Sequence, residues 1–103
     1  MSACEMRRLF NNSPLLQMIT QARLRPHYLR NNHLKEPERV NEPLCTWGQT
    51  IRYLDDQGQW VVEVSRYFRT GGRIGGSGQP DPKRLRIGNL ILIADTQFPA
   101  ELR

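Results

Sequence analysis

The sequence predicts an α+β domain, an N-terminal helix packed on a small antiparallel β-meander, and three observations carry that prediction. Apolar residues recur at helical spacing near the start, alternation of period 2 sets in after Cys45, and a short unbroken apolar run, LILIA, closes the patterned region. Each half exposes one apolar surface, and packing the helix stripe on the sheet buries both. With 103 residues, of which 38% are hydrophobic, the chain suffices for one core and not for two. A single domain over 1–103 follows, divided into a helical segment 1–25, a connection 26–45, a meander 46–95 and a tail 96–103.

Ser2 and Glu5 stand at capping-box spacing, which predicts a short helix over Ala3–Phe10. Asn11-Asn12 breaks it, and Ser13-Pro14 supplies an N-cap and a first-turn proline for a second helix over 14–25. Leu15, Met18, Ile19 and Ala22 form its apolar stripe, and Pro26 sets its end. Prolines, asparagines and alternating charge then make 26–45 an irregular connection.

A strand is expected over 47–55, with Asp55-Asp56-Gln57-Gly58 as the reversing turn. The clearest strand is 59–69: Trp60, Val62, Val64 and Phe68 fall on one face with Arg66 interrupting. Val61, Glu63, Ser65, Tyr67 and Arg69 fall on the other. Residues 84–87 can add a strand, joined through Gly88-Asn89 to the strand 90–94, so that the meander counts three or four strands. The apolar run there reads as buried on both sides, in the sheet's middle or under the helix.

Charge is localised. Between Arg66 and Arg86 six basic residues face one acid, Asp81, so this segment carries the whole net charge of +5. Arginines outnumber lysines 13 to 2, and the guanidinium fork suits phosphate or carboxylate. Five glycines between Gly71 and Gly78 can offer backbone N–H groups to an anion. No Gly-Lys-Ser/Thr follows them and no βαβ pattern surrounds them, which excludes a P-loop and a Rossmann turn.

The reading these features favour is a non-enzymatic binding module for nucleic acid, RNA or DNA, or another polyanionic surface. Its contacts are expected from Arg66, Arg69, Arg73, Lys83, Arg84 and Arg86, with Tyr67 available for stacking. One alternative is a protein-binding inhibitor or accessory subunit, of a mobile element or larger complex, docking on an acidic partner surface. A second is a small ribonuclease-like toxin with Glu63 as base beside Arg66, Tyr67 and Arg69. No nucleophile–base pair can be placed by spacing, so no catalytic residue is assigned and no cofactor is expected.

His27 and His33 lack a third ligand at a recognised spacing, so no metal site is expected either. Cys4 and Cys45 form no CxxC pair and are expected as reduced thiols. No apolar run approaches a bilayer-spanning length and the start lacks a secretory signal, so the expectation is a cytoplasmic protein without membrane contact. An unpaired sheet edge would also admit a homodimer.

Overall fold

The computed structural model describes residues 1–94; the predicted tail 96–103 and the closing Asp95 lie outside them. Two helices, α1 (Ala3–Asn11) and α2 (Leu15–Thr20), precede five strands: β1 (Arg25–His33), β2 (Trp47–Leu54), β3 (Trp60–Phe68), β4 (Asp81–Ile87) and β5 (Leu90–Ile93). The strands pair in chain order as one antiparallel meander. The predicted α+β architecture is therefore present, with one more strand than the largest number expected.

The capping box at the start of α1 is formed: Ser2 Oγ accepts from the Glu5 N–H and Glu5 Oε2 accepts from the Ser2 N–H. This helix fills the core. Met6 and Phe10 are fully buried against Ile51, Tyr53, Val62, Val64 and Leu85 of the sheet. At ~1.5–3 kcal/mol per buried large apolar side chain, these two anchor α1 to the sheet.

The helix predicted over 14–25 is shorter than expected, and three of its four stripe residues pack on the core. Leu15, Met18 and Ile19 pack at the core's margin, but the chain turns at Ala22. Ala22 takes φ +57, its N–H donates to the Ile19 carbonyl, and the Arg23 N–H donates to the Met18 carbonyl. These two bonds satisfy terminal carbonyls as a Schellman cap, which ordinarily places glycine where Ala22 stands. Ala22→Gly is expected to raise stability by about 0.5–1 kcal/mol by relieving the left-handed strain. Urea denaturation checks this; a lowered midpoint would exclude it.

The first part of the predicted irregular connection is not irregular: residues 26–33 belong to strand β1, Arg25–His33, which pairs with β2. Every residue of β1 is exposed, so no alternation of apolar and polar residues was needed to build it. Its backbone bonds to β2 hold it, and as an edge strand it tolerates Pro26 and a bulge between Tyr28 and Arg30. A single 3-10 turn, Pro37–Val40, leads on through Asn41 at φ +57, a left-handed position that asparagine accepts.

The placement of LILIA is also corrected. Strand β5 is the outer edge of the described sheet, and Leu90 is 66% exposed, with Ile91 and Ile93 also exposed. Only Leu92 and Ala94 pack toward the core. A continuous apolar run therefore marks here a strand with one covered face. The Gly88-Asn89 turn forms as expected, with Gly88 at φ +59 between the Ile87 and Leu90 pair. The fourth strand begins earlier than predicted, taking in Asp81 and the fully buried Pro82, with a register shift between their pairing and that of Arg84.

Among the described residues no helix is long and apolar enough to cross a membrane.

Candidate functional site

The glycine-rich segment holds an anion, and the anion is the protein's own. Asn41 turns Glu42 inward, where its side chain is 1% exposed. Glu42 Oε1 accepts from Arg69 Nε at 2.9 Å, and Oε2 accepts from Arg69 Nη2 at 3.3 Å and from the Gly76 N–H at 2.9 Å. Arg69's hydrogen bond holds the Glu42 carboxyl below its ordinary pKa, against the opposing effect of burial, and the Gly76 N–H adds to the lowering. A side chain at Gly75 would stand 2.2 Å from Glu42 Oε1, so only glycine admits the carboxylate there.

Neighbouring N–H groups are also spent: Gly75 donates to the Tyr67 carbonyl, Gly72 to that of Arg69 and Gly78 to that of Gly75. The segment is thus a clip that ties the connection after β1 to the end of β3. Arg69, predicted to meet phosphate, is the clip's cation.

The surface chemistry gathers instead on the sheet face opposite the helices. Register alone puts His27, Arg52, Glu63, Arg84 and Ile93 in one row across all five strands, alternating with the core row of Tyr53, Val62 and Leu85. A bulge between the Tyr53 and Leu54 pairings brings Trp60 onto this same face, opposite Leu54, while Val61 turns to the core. The expectation that Trp60 shares a face with Val62 and Val64 is overturned by that one extra residue.

Two guanidiniums lie over the displaced indole, Arg52 Cζ at 5.1 Å and Arg86 Cζ at 4.7 Å from the ring centroid. Three arginines here each turn their Nε to an acceptor. Arg52 Nε donates to Glu63 Oε1 at 2.9 Å, Arg84 Nε lies 3.6 Å from Glu63 Oε2, and Arg86 Nε donates to the Trp60 carbonyl at 3.0 Å. Fixing the inner nitrogen orients each fork and leaves its terminal nitrogens for another acceptor. Glu63 is buried between Arg52 and Arg84, so the cluster keeps two positive charges in excess.

The predicted site residues therefore disperse. Arg84 and Arg86 stand on the helix-free face. Arg66 is on the other side, its Nε donating to Gln49 Oε1 at 2.7 Å and its guanidinium over Phe68. Lys83 pairs with Asp81 at 2.9 Å, and Tyr67 lines an open cleft beside it. Arg73 lies exposed in the glycine-rich segment. Trp60 and Glu42 were not among the predicted contacts.

His33 packs against Trp47 with the rings tilted 55° and their centroids 4.1 Å apart, and His27 lies in the row with Arg52. No group of three or more His, Cys, Asp or Glu that could hold a metal occurs among the described residues.

Comparison with protein-family models, with curated proteins and with solved structures finds no match to this chain.

Proposed function

We propose that the helix-free face of the sheet binds single-stranded nucleic acid. The observation that carries this reading is the trio Arg52, Arg84 and Arg86 on one face with the half-buried Trp60, Arg52 and Arg86 hydrogen-bonded through Nε and laid over the indole, Arg84 ion-paired with Glu63. A guanidinium laid over an indole offers its own plane for a base to stack on, such aromatic and arginine platforms being worth ~1–3 kcal/mol per base, and terminal guanidinium nitrogens meet the phosphates on either side. An open sheet face suits splayed single strands, whose bases can leave their stack. Glu63 repels phosphate in isolation, but with two arginines on its oxygens it serves to orient them.

The experiment is a fluorescence-anisotropy titration of a labelled 12-mer, single-stranded and duplex, over a salt series. Contact with three or four phosphates gives a log–log salt slope of about −2 to −3 for single strands. Tighter binding of the single strand with that slope is expected. Absence of binding at low salt, or binding without salt dependence, contradicts the reading.

A further inference from the structure

Beside the Trp60 cluster, on the same face, an open cleft of about 490 Å³ has Thr50, Ser65 and Tyr67 on its floor. The Gly75–Ser77 stretch, tied down by Glu42, is one wall. Arg7 and Lys83 stand at the rim, both bound to Asp81, at 3.3 Å and 2.9 Å. Arg30 completes the rim. Its guanidinium lies against β2 because Gly48 has no side chain: a Cβ there would be 3.0 Å from Arg30 Nη2. Arg66 also borders the cleft, but its guanidinium is turned to Phe68 on the opposite face.

Three cations and one carboxylate leave the cleft two positive charges, and a phosphomonoester carries about −1.5 to −2 at neutral pH. A phosphodiester supplies half that. The volume falls within the range of small-molecule sites and suits one nucleotide. The hydroxyls of Thr50, Ser65 and Tyr67 can donate to phosphate oxygens or accept from sugar hydroxyls. We infer that this cleft takes a nucleotide bearing a phosphomonoester, so that a strand lying on the Trp60 face is held by its phosphorylated end. The inference rests on the nucleic-acid reading of that face.

The test compares 5′-phosphorylated, 3′-phosphorylated and unphosphorylated versions of one single-stranded oligonucleotide, alongside calorimetric titrations with adenosine 5′-monophosphate and adenosine. A preference of about tenfold or more for one phosphorylated end is expected, because the added charge meets fixed cations. Arg30→Ala and, separately, Lys83→Ala should erase it, with folding of each variant checked by circular dichroism.

Equal binding of all three oligonucleotides overturns the cleft assignment while leaving the Trp60 face intact. If none binds, the face reading falls and the mononucleotides decide: binding of the monophosphate but not the nucleoside supports the cleft, and binding of neither overturns it.

Discussion

Glu42→Ala is expected to cost about 2 kcal/mol at neutral pH, the largest loss of stability from any side chain outside the core. The substitution leaves the Gly76 N–H without its acceptor and removes the only carboxylate paired with Arg69 among the described contacts. Arg69 is partly exposed and regains water, so the value sits below that of a fully buried pair. For a domain of about this size, such a loss lowers the melting temperature by about 8–16 °C.

The effect has a defined pH signature. Arg69 lowers the Glu42 pKa in the folded state from an ordinary 4.5, so its contribution is present above the unfolded value and lost as pH falls through the folded one. The difference between wild type and Glu42→Ala in urea should therefore be full at pH 7 and shrink as pH falls below the ordinary 4.5. A difference independent of pH would mean that the carboxylate's charge is not what holds the clip. Gly75→Ala should reproduce the loss, since its new methyl meets Glu42 Oε1.

Arg86→Glu is expected to weaken single-strand binding about a hundredfold at low salt, near 2.7 kcal/mol. The change removes one phosphate contact, adds a repelling charge and strips one cation from Trp60. Trp60→Ala should lose ~1–3 kcal/mol with little change in salt slope, because stacking releases no counterions. Arg66→Gln provides the contrast: its guanidinium is on the other face, engaged with Gln49 and Phe68, and binding should change less than threefold. Equal losses at Arg66 and Arg86 would show an attraction set by net charge alone.

The sequence carried the meander and the helix in front of it because alternation at Ile51, Tyr53, Val62 and Val64, and the Ser2–Glu5 cap, are local signals. It did not carry β1, whose residues are exposed on both faces and are strand only because β2 pairs with them. The candidate site was hidden by a single bulge. The bulge at Val61 moved Trp60 across the sheet, and parity reasoning cannot find an inserted residue.

Glu42 lies 27 positions before Arg69, and nothing local marks a carboxylate that a remote loop will enclose. The charge excess between Arg66 and Arg86 was real, yet alternation and pairing divide it among a clip, two sheet faces and a cleft rim. Localisation in sequence was not localisation in space.

The two tryptophans report which face of the sheet a nucleic acid occupies. Trp60 lies on the helix-free face beneath Arg52 and Arg86, and Trp47 lies on the opposite face beside His33 and Phe68. Titrating 15N-labelled protein with an unphosphorylated single-stranded oligonucleotide should shift the indole N–H resonance of Trp60 and the Nε–H resonances of Arg52, Arg84 and Arg86, while that of Trp47 stays in place. A moving Trp47 with a stationary Trp60, or shifts confined to the glycine-rich segment around Arg73, would contradict binding on the helix-free face.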